Sequence, residues 1–306
     1  MGPGTLDQGL SAFSNVRPRL FGIAYRMLGS AAEADDLVQD VWLRWQCTDR
    51  NAVNDAPAYL ATATTRLAIN IAQSARVRRE AYVGTWLPEP VDTSSDPYLG
   101  AERGEALELA VLMLLEKLSP TERAAYILRE AFDYSYEQIA GVLQQSEDNT
   151  RQLVSRARKH LTEGRRRPVN SGDQQRLMRT FVTAARTGDL AALEGLFSAD
   201  VVSYSDGGGM VRAAQKPVAG RERVAKFIAA VAPHFWGGMD VSFIEANGQN
   251  CMIMSRDGAI VALATIEASE QGIEQILWFM RPSKLAGIAL QRQGTPPHAA
   301  VIPGTE

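Results

Sequence analysis

The amino-acid sequence predicts a multi-domain chain: two all-α domains, the second carrying a helix-turn-helix, followed by an α+β domain. Three observations carry this. Helix-capping signals recur through the first half and cluster at residues 119–160. Residues 84–104, GTWLPEPVDTSSDPYLGAERG, hold three prolines and three glycines among small polar residues, the composition of a linker. Beyond about residue 198 the apolar residues stop recurring at helical spacing and gather into short strand-like runs. The boundaries that follow are a first helical domain over 1–83, a linker over 84–104, a second helical domain over 105–168, a short linker over 169–173, an α+β domain over 174–282, and a tail over 283–306.

In the first domain, Ser30 stands three residues before Glu33 and forms a capping box. The helix behind it places Leu37, Val38, Val41, Trp42 and Trp45 on one face and Glu33, Asp36, Asp40 and Leu43 on the other. An acidic face is also ordinary for a solvated helix. Asn54 or Asp55 caps the next helix, which begins at Pro57 and runs to about Ala81. Its core side is expected at Leu60, Thr64, Leu67 and Ile71, and its far side carries Thr62, Arg66, Gln73 and Arg76, with Arg78 and Arg79 following.

The second domain has the most informative stretch. Ser119 precedes Pro120 and stands three residues before Glu122, and Ser135 with Gln138 repeats the capping device. A short apolar helix (Ile139, Ala140, Val142, Leu143) ends at 144–146, and Ser146 caps the next helix. There Leu153, Val154, Ala157 and Leu161 form one stripe, while Arg151, Gln152, Ser155 and Lys159 lie opposite, supplying donors suited to phosphates and base edges in a major groove. An amphipathic helix in an ordinary bundle is the alternative.

The third domain begins with helical periodicity over 174–197. Strands follow at 201–205, 239–246, 251–255, 259–268 and 273–281, with one helix between them at about 221–231. This order gives a curved sheet covering helices. Residues 293–306, rich in Pro, Gly and Ala, read as a flexible end.

At 306 residues the chain is long enough for two or three cores. The net charge of −3 is not that of a general polyanion binder, so any nucleic-acid contact rests on local charge. Residues 149–168 hold Arg151, Arg156, Arg158, Lys159, Arg165, Arg166 and Arg167 against Glu163, whereas residues 31–43 hold Glu33, Asp35, Asp36 and Asp40 with no base. Two partner surfaces of opposite sign are implied. Cys47 and Cys251 read as free thiols of a reducing compartment. With no secretory start and no apolar run near 18 residues, a cytoplasmic protein without membrane partners is expected. No phosphate loop, HExxH, GxSxG or zinc spacing occurs, so no cofactor or metal is expected and nucleotide-binding and hydrolase readings lack support.

The two helical domains resemble a bacterial sigma factor of the extracytoplasmic-function (ECF) type. ADDLVQDVWLRW is similar to the stretch by which sigma domain two grips the clamp of core RNA polymerase, and RLAINIAQSARVRREAYVG to the segment that melts the promoter and reads its minus-ten element. The second helical domain resembles sigma domain four, whose helix-turn-helix reads the minus-thirty-five element. The remainder resembles the SnoaL-like, cone-shaped fold. YVGTWLPEP, SEDNTRQLVSRARKHL and DGGG at 206–209 point to the ECF subgroup with a fused SnoaL-like domain. Where that subgroup has Lys after DGGG this chain has Met210, and the subgroup's NPDKL-like motif appears as Arg281-Pro282-Ser283-Lys284-Leu285.

The resemblance implies a stress-responsive alternative sigma factor whose partners are core RNA polymerase and promoter DNA. It implies core contacts at Asp36, Gln39, Asp40 and Leu43. DNA contacts are implied at Arg66, Asn70, Gln73, Arg76, Arg78 and Arg79, and at Arg151, Gln152, Ser155, Arg158 and Lys159. Tyr82 and Trp86 are candidates either for stacking on bases or for packing within the linker. It further implies a C-terminal regulator acting in cis through Asp206, Gly207, Gly208 and Gly209 and through Pro282, Lys284 and Leu285, which are expected to project from the sheet. Two other classes stay open at this point. One is a stand-alone helix-turn-helix regulator. The other is a DNA-binding protein with an isomerase- or cyclase-like C-terminal domain, in which Asp206, Tyr204 and His234 line a pocket. DGGG is also what a tight turn demands. An interior cavity for a small effector is compatible with the fold, but no residue pattern names one.

Overall fold

In the computed structural model the described residues are 3–93, 108–162 and 168–293, and they form two compact units. The basic run 165–167, part of the first linker and residues 294–306 lie outside them.

The first unit is all helix and contains both helical domains. Among the described residues its helices are α1 (Pro3–Leu28), α2 (Ala31–Cys47), α3 (Ala56–Glu80), α4 (Leu109–Leu115), α5 (Pro120–Glu130), α6 (Tyr136–Leu143) and α7 (Glu147–Thr162), with a 3-10 turn at Arg50–Ala52. The starts are where the capping chemistry puts them. Ser30 Oγ accepts from Glu33 N, Asp55 caps α3, and Ser119 and Ser135 each close a capping box with Glu122 and Gln138. Gln144 ends α6 in the left-handed region at φ 56°, and Ser146 Oγ accepts from Asn149 N at 3.2 Å to begin α7.

The burial of α3 differs from the expected stripe. Ala61, Thr64, Thr65, Ala68, Ala72 and Ala75 are buried with Leu60, whereas Leu67 and Ile71 are only partly covered. Small side chains let the backbone of α3 approach α1 closely, and the buried threonine hydroxyls are satisfied locally, Thr64 on Leu60 O and Thr65 on Ala61 O, both at 2.8 Å. Size, rather than hydrophobicity, set the contact face.

The two helical domains also pack on each other, which the linker composition did not suggest: α5 lies against α1 and α3, and α6 against α3. A polar cluster sits at this junction. Glu116 accepts from Arg123 at 2.6 Å and pairs with Arg79, while Arg123 also donates to Met27 O at 2.7 Å. Burial pushes the Arg123 guanidinium below the usual arginine range and the Glu116 carboxylate draws it back up.

The second unit is α+β: α8 (Ser171–Thr187), α9 (Leu190–Leu196), β1 (Phe197–Asp206), β2 (Val218–Ala219), α10 (Arg221–Phe235), β3 (Asp240–Ala246), β4 (Gln249–Arg256), β5 (Ala259–Ser269), β6 (Gly272–Phe279) and α11 (Pro282–Gln293). The sheet order is β2-β1-β6-β5-β4-β3, with β1 parallel to β6 and every other pair antiparallel. Met178, Phe181, Leu193, Val224 and Ile228 from the helices pack on one face against Met252, Ala264, Ile276 and Trp278. By strand alternation Leu277 and Phe279 point to the opposite face, where α11 packs against β5.

That opposite face is where the sequence reading needs correcting. Residues 84–93, read as part of a linker, and residues 82–83, read as the end of the first domain, belong to this unit, and residues 87–93 are all buried. The expected tail from residue 283 begins instead as α11, with Leu285 and Ile288 buried. A short proline-rich strand-like segment and a Gly-containing helix have weak local signals, so their order comes from the sheet they cover.

Candidate functional site

Three surfaces and one buried cluster gather the candidate residues. On α2, Leu37, Val38, Val41 and Trp45 are buried and Trp42 is half-buried against Phe13, at a ring separation of 4.9 Å. Asp36, Gln39 and Asp40 are exposed beside Leu43, which is 52% exposed. Neighbouring acids are partnered, Glu33 with Arg78 at 2.7 Å and Asp35 with Arg17 at 3.1 Å. Asp36, Gln39, Asp40 and Leu43 thus form a compact exposed stripe of two carboxylates, an amide and an apolar side chain, flanked by the exposed Asp35 and Arg44.

On α3 the six candidates divide. Asn70, Gln73 and Arg76 are exposed. Arg66 instead donates to Val142 O at 2.8 Å and Gly141 O at 3.1 Å, satisfying last-turn carbonyls of α6, where a cation also meets the negative end of the helix dipole. Arg79 is held by Glu116 and Leu28 O, and Arg78 by Glu33. Half of this expected nucleic-acid face is thus engaged inside the unit, and Arg66 and Arg79 fasten the two helical domains together. Glu116 and Arg123, which complete that fastening, carried no sequence signal: a buried charged pair between distant segments has no local pattern.

On α7 the division of faces is the expected one. Leu153, Val154, Ala157 and Leu161 are buried; Arg151, Gln152, Ser155 and Lys159 are exposed. Arg151 pairs with Glu147 and stacks over Tyr136 at 4.5 Å, and Arg158 is held by Glu130 at 2.6 Å, a bond that raises its pKa. Exposed pairs of this kind are worth only about 0–1 kcal/mol, so they hold these side chains weakly.

The buried cluster is centred on Asp206, at the end of β1 and 0% exposed. One carboxylate oxygen accepts from Tyr82 Oη at 2.5 Å; the other accepts from Leu87 N at 3.0 Å and from Lys284 Nζ at 2.7 Å. Lys284, 7% exposed, also donates to Leu87 O and lies over the Trp86 ring at 4.4 Å, while Arg281 donates to Tyr82 Oη at 3.2 Å. Burial and the bond to Asp206 push the Tyr82 phenol up to about 12. Further along, Val91 N donates to Asn247 Oδ1 and Asn247 N to Val91 O, both at 2.9 Å, and Thr93 Oγ1 accepts from Gly248 N at 2.9 Å. The segment is thus clamped at both ends.

The glycines after Asp206 are part of the clamp. Gly208 and Gly209 have φ of +58° and +71°, and a Cβ on Gly208 would stand 2.8 Å from Arg281 and 2.9 Å from Tyr82 Oη. Of the residues expected to project from the sheet, Gly209 and Pro282 are exposed, whereas Asp206, Gly207, Lys284 and Leu285 are buried, Asp206 and Lys284 because they hold residues 82–93. Met210 is 72% exposed, so the position where the subgroup has Lys lies outside the seat. Tyr82 and Trp86 pack in this clamp. Asp206 and Tyr204 lie on the sheet face opposite Ser203 and Ser205, and His234 lines a depression with Arg212, Phe235 and Arg256 whose lining includes neither of them.

Comparison with known proteins agrees with this geometry. Residues 12–81 match Sigma-70 region 2 and residues 108–161 match Sigma-70 region 4, which places the helical unit in the sigma-70 class of transcription factors. The chain is 35% identical over 237 residues to the ECF RNA polymerase sigma factor SigJ of Mycobacterium tuberculosis, spanning 75% of each protein. It is 33% identical over 181 residues to a probable ECF RNA polymerase sigma factor, SigI, of the same species, spanning 58% of this chain and 62% of that one. The crystal structure of SigJ superposes with a TM-score of 0.73 and 30% identity, over 91% of this chain and 98% of that one. The chain belongs to the ECF RNA polymerase sigma factors.

Proposed function

We propose that this chain binds core RNA polymerase through the exposed stripe of α2, directs it to promoters through α3 and α7, and is regulated in cis by its own C-terminal domain. The observation that supports the regulatory part is the clamp. The segment joining region 2 to region 4 is seated on the C-terminal sheet by a buried Asp206–Lys284 pair and by two bonds between Val91 and Asn247, one from Val91 N to the Asn247 side chain and one from Asn247 N to Val91 O. Such seating is a coupling free energy between arrangements of the sigma regions, and a few kcal/mol suffice to change activity many-fold. Asn70, Gln73 and Arg76 meet DNA as they stand; Arg66 and Arg79 join them when the helical domains separate. The C-terminal domain works without catalysis, and the place of action is the cytoplasm; among the described residues no helix is long and apolar enough to cross a membrane.

The test is promoter output from reconstituted holoenzyme with equal amounts of three proteins: the full chain, a chain ending at Pro168, and the full-length Lys284→Met variant. At least one of the altered proteins is expected to differ clearly from the full chain. Equal output from all three, together with turnover of a small molecule by the full chain, would make the domain an enzyme and remove the regulatory reading.

Within region 4 the roles of α7 separate by salt. Arg151→Ala and Gln152→Ala are each expected to cost about 1–3 kcal/mol at the upstream element and to relax its sequence preference. Lys159→Ala should weaken binding to all sequences alike and lower the slope of log affinity against log salt by about one. A promoter library in which Arg151→Ala keeps the parent preference would show that another face of the helix reads the bases.

A further inference from the structure

β1 alternates its side chains across the sheet, so that Asp206 holds the clamp on one face while Ser205 opens into a recess on the other. That recess, about 90 Å³, lies between α10 and the sheet and is walled by Ile228, Val231, Trp236 and Trp278. Phe227, Val231 and Phe235 follow one another at four-residue spacing along α10, line the same recess and are each only half-buried. Large apolar side chains on the inner side of a helix are ordinarily covered, and here the recess leaves them open. Phe235 meets Trp236 and Trp278 edge to face, at 5.6 Å in each case, which gives the slot aromatic walls. Two residues back on the same face of β1, Ser203 is 1% exposed and its Oγ has no hydrogen-bond partner, an uncommon state for a buried hydroxyl.

Arg212, Phe235 and Met280 also wall a second depression of about 380 Å³, so the two adjoin. Its ionisable members are Arg212, His234 and Arg256, and among the described residues neither lining includes an aspartate or glutamate. Arg256 donates once to Gly237 O at 3.2 Å, and a guanidinium has further N–H groups to offer. An apolar slot lined by Arg212 and adjoining a depression that Arg256 also lines suits a ligand with a hydrocarbon body and an anionic head: apolar walls fix the body and a few donors fix the head.

We propose that this cavity is a binding site for a small monocarboxylic acid with an aromatic or branched aliphatic body. The body lies against Trp236, Trp278 and Ile228, and the carboxylate is taken by Arg212 and Arg256. The volume of the slot suits roughly a single ring or a short branched chain. Ser205 in the slot and Asp206 in the clamp are neighbours in sequence, and the turn from Gly207 to Arg212 joins the cationic mouth to the clamp. An occupied slot therefore acts on the seat of residues 82–93. That consequence rests on the regulatory reading above, whereas the binding itself does not.

The experiment is calorimetric titration of the full chain with benzoate, phenylacetate and isovalerate, with phenylacetamide as the neutral isostere and acetate as the head without a body. At least one of the three acids is expected to bind, phenylacetamide to bind at least about tenfold more weakly than phenylacetate, and acetate not to bind, since the loss of a charge-assisted pair is worth about tenfold or more. The Arg212→Gln/Arg256→Gln variant should bind phenylacetate no better than phenylacetamide, and Val231→Trp, which fills the slot from a half-exposed position, should bind neither. Failure of all three acids to bind, equal affinity for acid and amide, or an unchanged preference in the arginine variant would overturn the proposal. Transcription is read separately: acid binding that leaves promoter output unchanged would sink the link to the clamp and leave the site standing.

Discussion

Replacing Asp206 by Ala is expected to cost the C-terminal unit about 3–5 kcal/mol, because it leaves Lys284 buried without its counter-charge. It also removes the acceptor for Tyr82 Oη and Leu87 N, so residues 82–93 should lose amide protection before the sheet does. Urea unfolding of the full chain, followed by hydrogen exchange at Leu87, Val91 and Asn247, measures both effects. Asp206→Asn keeps a single acceptor oxygen, which can serve Leu87 N, and leaves the ammonium group without its counter-charge. Combining it with Lys284→Met should therefore recover part of the loss, since removing both charges leaves neither one buried alone. A double variant as unstable as the sum of the two single ones would show that the pair is not coupled. Unchanged protection at Leu87 in Asp206→Ala would show that the clamp does not depend on this carboxylate.

Reversing two charges on α2 should have the second large effect, and on binding rather than on folding. Asp36→Lys with Asp40→Lys is expected to weaken association with core RNA polymerase by about 2–5 kcal/mol, the range for charges that are desolvated and paired in an interface. Both side chains are exposed and lie opposite the buried stripe of Leu37, Val38 and Val41. The helix content and melting temperature of the free chain should therefore stay within the small range of surface substitutions. Competition binding to core polymerase measures the loss, which should shrink as salt is raised. Undiminished capture of core subunits by this variant would move the contact elsewhere on region 2.

Local patterns made much of this legible. Ser119, Pro120 and Glu122 announce a helix start by chemistry confined to four residues, and the same holds for Ser30 and Ser135. The two faces of α7 follow from the 100° step alone. Periodicity was less reliable where volume decides: α3 buries its alanines and threonines in preference to Leu67 and Ile71, because close approach to α1 excludes larger side chains. DGGG could be read as a tight turn, and it is one, but its glycines are also needed for the approach of Tyr82 and Arg281. That second requirement comes from residues more than 70 positions away and leaves no trace nearby.

By itself the sequence determined the capped starts of α2, α3, α5, α6 and α7, the helix-turn-helix, the exposed faces of α2 and α7, and the change from helical to α+β character, all of which depend on side chains within a few positions of one another. Only the tertiary structure decided that residues 82–93 are held instead of hanging free, that Lys284 and Asp206 meet, and that Arg66 and Arg79 tie the helical domains together. These are contacts between residues from 37 to 199 positions apart. A buried ion pair or a strand-like segment seated on a sheet is stabilised by the surface it meets, and that surface exists only after the rest of the chain has folded.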